Sequence, residues 1–327
     1  MFNGKSKKKC IVCGSNKIHK DGKRNGKQRY QCSICFAHFT LKNLGVKKKN
    51  LFIWFKKWVM ERQVYSTLVR DSKMSQRTLQ NLFNDYLKSF PVIEIKSKTK
   101  VHLLVDGSYF PNGLCLILYY DYDINYIQFY RETTQEKYIE IKEDLENLKK
   151  LGVDVYSVTC DGHKAILKAV KKVYPEVIIQ RCLVHIKRQT RNYLSEKPKH
   201  PINQQLLSLS KQITSIKTIE QSNEWLVKFK NWHEKNKDFI NQKTYNIESK
   251  RFWYTHKNLH LATTLIIKAI PNMFCFLDDA EIPYSTNKIE GFFAHLKGKL
   301  APHHGLRFNA KRNFIKWYLY FKNQDSK

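Results

Sequence analysis

Apolar and polar positions alternate in ways that divide the chain into helical and strand-like stretches. From residue 101, short apolar runs alternate with turn residues, the pattern of strands. Val101-His-Leu-Leu-Val-Asp106-Gly-Ser-Tyr-Phe110 reads as a strand ending near an aspartate. Residues 114–120 and 126–130 read as two more antiparallel strands, with turns at Asn112-Gly113 and over 121–125. A helix is predicted over 135–151, where Tyr138, Ile141, Leu145 and Leu148 share a face. A strand over 153–159 runs into Cys160-Asp161-Gly162, followed by a helix over 163–173 and, after Pro175, a short strand over 177–179. Beyond it, apolar residues recur at helical spacing in 202–216, 219–232 and 259–270. Upstream, Leu51, Phe52, Phe55, Trp58 and Val59 predict one helix, and 64–70 and 75–87 predict two more around a turn at 71–74. Ser75 is a good N-cap, and Leu79, Leu82, Phe83 and Tyr86 form one apolar face. Residues 91–100, with Pro91 and a lysine-rich run, read as a linker.

The two helices over 64–87 have the outline of a helix-turn-helix, whose second helix would offer Gln76, Arg77, Gln80 and Asn84 to a major groove. A small helical bundle joining two domains would give the same pattern. Three strands, a helix, a strand, a helix and a strand is the order of a ribonuclease-H-like α/β fold. In that arrangement Asp106 on the first strand and Asp161 at the end of the fourth lie side by side. Neighbouring carboxylates repel unless a divalent cation lies between them, and Mg²⁺ takes one or two carboxylates with water and phosphate oxygens in its other positions. A second ion roughly 4 Å away would permit in-line displacement at phosphorus. Taken singly, each Asp-Gly pair reads better as a simple turn after a strand.

Cysteine usage adds a separate module. Cys10-Ile-Val-Cys13 and Cys32-Ser-Ile-Cys35 are two Cys-x-x-Cys knuckles held apart by 18 residues. That spacing fits one structural Zn²⁺ in a closed four-thiolate cage. Between them, residues 18–30 carry a hairpin pattern, with Asp21-Gly22 and Asn25-Gly26 as turn signals. The module spans residues 1–45. Cys115, Cys160, Cys182 and Cys275 are scattered and read as ordinary buried thiols.

Charge narrows the choice of partner. The 327 residues carry 59 Lys+Arg against 28 Asp+Glu, a formal net charge of +31. An excess this large repels itself unless an acidic partner neutralises it, and a nucleic-acid backbone is the usual one. Residues 1–50 alone hold 14 Lys+Arg and one acid, Asp21. The sequence offers no evident bilayer-spanning stretch, and the basic first nine residues lack the apolar core of a signal peptide. A cytoplasmic protein without a membrane partner is expected, nucleoid-associated if bacterial.

Two longer blocks carry a family likeness. Asp161-Gly-His-Lys-Ala-Ile, Tyr174-Pro175 and Gln180-Arg-Cys182-Leu-Val-His185 resemble the signature of Mutator-like transposases and their bacterial insertion-sequence relatives. There, a strand-end aspartate is followed about one helix later by a Cys-x-x-His pair. Pro283-Tyr-Ser-Thr286-Asn287-Lys-Ile-Glu290-Gly-Phe-Phe-Ala-His-Leu-Lys297 is similar to the segment bearing that family's third catalytic acid, and Leu104-Val-Asp106-Gly-Ser to its opening strand. The resemblance covers roughly residues 100–310. It implies Asp106, Asp161 and Glu290 as the catalytic triad, holding two Mg²⁺ (or Mn²⁺) ions. The 129 positions between Asp161 and Glu290 then imply a helical insertion at about 195–280 within a catalytic domain spanning 101–327, after a helical DNA-binding region and linker over 46–100.

Several residues have competing readings. Asn287 with Glu290 three positions later is also a capping box. Lys297, two helical turns beyond Glu290, shares its face and could meet a phosphate bound at the metals. Cys182 and His185 share a helical face; two ligands do not close a zinc site, so a packing or hydrogen-bonding role near the triad is favoured over metal binding. Trp253 could stack on an unpaired base at a transposon end, though aromatic clusters are more often core. His303 and His304 read as exposed loop residues. The implied function is a transposase that binds double-stranded terminal inverted repeats, as a homodimer or larger oligomer, cleaves 3′ ends and transfers the strand to target DNA. A non-catalytic zinc-ribbon/helix-turn-helix regulator derived from a transposase is the alternative, and a nuclease without strand transfer is a third.

Overall fold

The computed structural model describes residues 8–24, 26–40, 44–248 and 250–325. At the front, the knuckle containing Cys10 and Cys13 precedes strand β1 (Ile18–Arg24). The second knuckle begins at the end of β2 (Lys27–Cys32), and β3 (His38–Thr40) completes an antiparallel sheet in the order β1-β2-β3. The hairpin expected over 18–30 is present, with Gly26 at φ +72° in its turn; Asn25, and most of the basic first nine residues, lie outside the described residues. Asp21-Gly22 is not a second turn. It is an irregularity inside β1, where the register slips between Lys20 and Lys23 and Gly22 takes φ +62°. The Asp21 side chain instead accepts from Arg29 Nε at 2.8 Å and pairs with His38 Nδ1 at 2.6 Å.

Three helices follow: α1 (Leu44–Met60), α2 (Tyr65–Ser72) and α3 (Gln76–Tyr86). Lys73, at φ 56°, closes α2 by donating its N–H to Val69 O, and the Ser75 hydroxyl caps α3 by accepting from Thr78 N at 3.2 Å. These helices do not keep a core of their own. Phe55, Trp58, Leu68, Leu79 and Phe83 are buried in one cluster with Leu104, Leu116, Phe314 and Tyr318. Trp58 meets Phe314 edge-on at 5.3 Å, and Phe55 meets Trp317 likewise at 5.3 Å. The stretch expected as a linker is tied down as well: Lys96 N donates to Gln128 Oε1 at 2.9 Å, and Tyr126 OH to Glu94 O at 2.8 Å.

The central layer is a mixed sheet built from β4 (Lys98–Phe110), β5 (Leu114–Asp121), β6 (Tyr126–Thr133), β7 (Val153–Cys160) and β8 (Ile178–Arg181), in the order β6-β5-β4-β7-β8. The first three strands form an antiparallel meander; β7 runs parallel to β4, and β8 parallel to β7. Asn112 and Gly113, both with positive φ (67° and 72°), make the tight β4–β5 turn. Helix α4 (Tyr138–Lys150) joins β6 to β7, and α5 (Lys164–Val173) joins β7 to β8.

Alternation along β4 and β5 sends side chains to both faces. Val101, Leu103, Val105, Ile117 and Tyr119 pack with Ile141, Leu145, Ile166 and Val170 of α4 and α5. Leu104, Leu116 and Leu118 point into the cluster shared with α1–α3. All eight residues of β5 are buried, so this strand is covered on both faces. Each fully buried aliphatic side chain contributes on the order of 2 kcal/mol, which fixes the register of the strand that carries Asp106.

After β8 the chain turns into α6 (Leu183–Leu194), α7 (Pro201–Gln212) and α8 (Ile219–Asn241). A two-stranded hairpin, β9 (Lys243–Asn246) with β10 (Arg251–Tyr254), leads to α9 (Lys257–Ala269). Leu183, Leu206, Trp225, Phe229 and Ile266 form the core of this helical unit. Helices α7, α8 and α9 lie where apolar spacing predicted them, with α8 running nine residues past the expected end at 232, whereas α6 was not predicted. The hairpin was not predicted. The chain ends with α10 (Asn287–Leu300) and α11 (Phe308–Asp325). One segment among the described residues, Lys257–Leu277, is long and apolar enough to cross a membrane by length and composition, contrary to the sequence reading. Leu259, Ala262, Ile266, Ala269 and Met273 within it face the core of the helical unit.

Candidate active site

Asp106 sits inside β4, not at its end. Parallel pairing of Val105 with Cys160 brings the next residue on each chain, Asp106 and Asp161, together at the end of β7. Asp106 is 7% exposed, and its Oδ1 accepts from Gly107 N at 2.9 Å. Burial, opposed by His185 and reinforced by the charges of Asp161 and Glu290, pushes its carboxyl up to about 7. Asp161 is half-buried; its Oδ1 accepts from His163 N at 2.7 Å, and its backbone oxygen from Arg181 Nη2 at 3.1 Å.

A Cβ at Gly107 would meet the end of the Glu136 side chain, and one at Gly162 the Arg181 guanidinium. Gly107 lies within β4, whereas Gly162 follows the end of β7 at φ +88°, in the region that favours glycine.

Glu290 reaches the same place from the first turn of α10. Two contacts carry it across the 129 positions separating it from Asp161: Thr159 Oγ1 donates to Pro283 O at 2.7 Å, and Leu183 N to Tyr284 O at 3.0 Å. They staple the segment before α10 to β7 and to the start of α6. The capping-box alternative fails, because Thr286 occupies the N-cap and no side chain caps the helix. Glu290 instead points sideways: Arg188 Nη2 donates to its Oε2 at 2.6 Å, and Oε1 lies 3.5 Å from His185 Nδ1.

Cys182 is the N-cap of α6, and His185 lies in its first turn. Thr286 donates to the fully buried Cys182 sulfur through N at 3.3 Å and Oγ1 at 3.4 Å, and Thr286 Oγ1 also lies 3.3 Å from His185 Nδ1. Burial raises the Cys182 thiol, but hydrogen bonding and charge from His185, with Thr286, outweigh it and lower the thiol overall. Burial likewise lowers His185, yet Cys182, Asp106 and Glu290 together raise it to about 9. The pair thus lies beside the carboxylates, with Thr286 bridging the Cys182 sulfur and His185 Nδ1.

One residue was missed by the sequence reading. Glu136, just before α4, is about 10% exposed at its side chain and faces His163 Nδ1 at 3.4 Å. Burial and the charge of Asp161 raise its carboxyl, while His163 and His185 oppose the shift. No motif marks it; its place depends on Gly107 leaving room beside Asp106.

The other expected site residues lie apart. Lys297 is exposed, with Nζ 5.2 Å from the centre of the Phe110 ring. Phe110 is four residues along β4 from Asp106, about 13 Å away. Gln76, Arg77 and Asn84 are exposed on α3, while Gln80 is half-buried and lines a cavity with Asn84, Pro302 and Leu306. Trp253 is 46% exposed on β10 beside Phe252 at 69%, so this aromatic cluster is not core. His303 reverses its expectation: it is 6% exposed, its ring 4.5 Å from Trp58 and 5.3 Å from Phe314, and burial drives its imidazole down to about 4. His304 is exposed.

At the front, Cys10, Cys13, Cys32 and Cys35 offer four sulfurs within 4.8 Å of one another, with Cys10–Cys35 and Cys13–Cys32 both at 3.6 Å. A tetrahedron of Zn–S bonds of about 2.3 Å has sulfur–sulfur edges of about 3.8 Å, so the cluster could hold zinc with little rearrangement.

Residues 133–260 match the family model described as "Transposase, Mutator family". The match begins at the end of β6 and runs through Asp161, Cys182 and His185 to the hairpin and the start of α9. Comparison with curated proteins gives no match.

Proposed function

We propose that this chain, which carries a Mutator-family transposase domain, is an Asp-Asp-Glu transposase whose triad is Asp106, Asp161 and Glu290. The observation that carries the proposal is convergence: the buried Asp106 carboxyl of β4 lies within electrostatic reach of Asp161, at the end of β7, and of Glu290, in the first turn of α10. The sheet order β6-β5-β4-β7-β8, with the meander antiparallel and the last two strands parallel, supports a ribonuclease-H-like core with α7–α9, at about 195–280, as its helical insertion. A buried aspartate raised to about 7 beside two further carboxylates is a strained charge, and divalent cations would relieve that strain. The donors are oxygens, as Mg²⁺ or Mn²⁺ requires. Two such ions would polarise the scissile phosphate and activate the attacking oxygen.

The chain's own groups prepare that chemistry. To hold an ion, Asp106 would have to lose its proton and Glu290 its ion pair with Arg188, while Asp161 is oriented by accepting from His163 N. In cleavage, water attacks phosphorus and the departing 3′ oxygen takes a proton; in transfer, that 3′ hydroxyl attacks a target phosphate and expels another 3′ oxygen. Both steps are displacements at phosphorus, so one site serves both. Recognition of terminal repeats falls to the zinc ribbon, with Gln76, Arg77, Gln80 and Asn84 of α3. Trp253 is exposed for stacking on an unpaired base, and Lys297 is available to a phosphate further along the DNA. The active form is a dimer or larger oligomer on DNA.

The test uses a terminal-repeat duplex, intact or pre-cut to expose its 3′ end. Asp106→Asn, Asp161→Asn and Glu290→Gln should each abolish both cleavage and strand transfer, without additivity in double variants, while retaining repeat binding. Asp154→Asn, at an exposed position near the start of β7, should leave both activities intact. Full strand transfer by Glu290→Gln removes Glu290 from the triad.

A further inference from the structure

We propose that Cys182, His185 and Glu290 form a binding site for one zinc-class ion, distinct from the cysteine ribbon and adjoining the carboxylate triad. One sulfur, one imidazole nitrogen and one carboxylate oxygen lie within 4.8 Å of one another, contributed by the N-cap of α6, its first turn and the first turn of α10. The framework around them is fixed by Leu183 N on Tyr284 O at 3.0 Å and by Thr159 Oγ1 on Pro283 O at 2.7 Å.

The carboxylate supplies the second observation. Arg188 takes Glu290 Oε2 at 2.6 Å, whereas Oε1, beside His185, is buried at the atom level and has no hydrogen-bond partner. That oxygen is met only by His185 Nδ1 at 3.5 Å, beyond hydrogen-bond geometry, so with His185 deprotonated the oxygen, the imidazole and the buried sulfur are three donors that one cation could take together. A tetrahedral ion with bonds of about 2.0–2.3 Å needs ligand separations of about 3.3–3.8 Å, so the three groups must close by little more than 1 Å. Mixed sulfur, nitrogen and oxygen donors select a zinc-like ion over magnesium. Thr286, donating through N and Oγ1 to the Cys182 sulfur, orients that ligand from behind. Three protein donors leave a fourth position for water. An ion there clasps the start of α10 to the start of α6, fixing the helix that carries Glu290. None of this depends on the transposase reading.

The test is zinc stoichiometry of the full chain, together with ¹¹³Cd NMR of the cadmium-loaded full chain. Wild-type protein should bind two equivalents of zinc and give two cadmium resonances, one from the four-thiolate ribbon and one in the range of a single-sulfur mixed site. Cys182→Ser, which keeps an acceptor for Thr286, and His185→Ala should each reduce binding to one equivalent and erase only the mixed-donor signal. A single equivalent with a single four-thiolate signal in wild-type protein overturns the proposal, as does a second equivalent that survives both substitutions. Strand transfer is not read here, so an absent second ion says nothing against the triad, and inactive triad variants say nothing against this ion.

Discussion

Replacing Asp106 with asparagine keeps the size of the side chain and lets Oδ1 go on accepting from Gly107 N at 2.9 Å. What it removes is a charge in a site that disfavours one. The carboxyl rises from 3.8 to about 7 on folding, mainly through burial. At about 1.36 kcal/mol per pH unit this corresponds to a cost on the order of 4 kcal/mol for the ionised form. The sign follows from proton counts. Between pH 4 and 7 the folded chain holds a proton that the unfolded chain has lost, so stability falls as pH rises through this window, and the cost is complete above pH 7. In magnesium-free buffer at pH 8, Asp106→Asn should therefore be more stable than the parent, by as much as about 4 kcal/mol, with the difference vanishing near pH 4. Urea unfolding followed by tryptophan fluorescence measures it, because all six tryptophans lie beyond residue 50 and report on the body of the chain. Added magnesium should stabilise the parent and not the variant, narrowing the gap. A variant less stable than the parent at pH 8, or a gap independent of pH, refutes the electrostatic account of this site.

Two further outcomes follow from other parts of the molecule. Cys32→Ser should release the ribbon ion, lowering bound zinc by one equivalent in elemental analysis, while leaving the fluorescence-monitored unfolding midpoint of the body unchanged. His303 is buried neutral with its imidazole driven to about 4. Its contribution to stability should then fall as pH drops from 6.5 to 4, by on the order of 3 kcal/mol, opposing the Asp106 contribution, because only the unfolded chain takes up the proton; in a pH series of urea midpoints His303→Phe should gain stability relative to the parent by that amount as pH falls through this window.

Local periodicity carried most of the secondary structure, because strands and helices here bury whole faces. The strands around Asp106 and Asp161, the capping by Ser75 and the two cysteine knuckles all follow from short-range pattern. What the pattern could not reach were effects of tertiary contact. Asp21-Gly22 carries turn chemistry, yet cross-strand bonds from Arg29 and His38 draw it into a bulge. His303 looks like loop because its neighbours are polar or small, and only the folded chain sets it against Trp58 and Phe314. The β9–β10 hairpin has four-residue strands with exposed aromatics, too short for a periodic signal. Glu136 belongs to no motif, and becomes part of the site only through the absent side chain of Gly107.

The balance of charge at the site constrains how it can work. Asp106, Asp161, Glu290 and Glu136 are answered by His163, His185, Arg181 and Arg188, all within direct contact or electrostatic reach. The cluster can therefore fold without metal, with Asp106 holding a proton near neutral pH and His185 holding one up to about 9. If the carboxylates hold divalent ions as proposed, those ions would compete with these cations and with the Asp106 proton, so their binding should release protons and strengthen as pH rises through 7. Arg188 is the strongest competitor, since it already holds Glu290 in a short charged hydrogen bond. A phosphate backbone arriving at the site offers that guanidinium an alternative partner. On the proposed assignment, DNA binding would in this way free Glu290 for a metal ion, which would tie assembly of that site to the arrival of DNA.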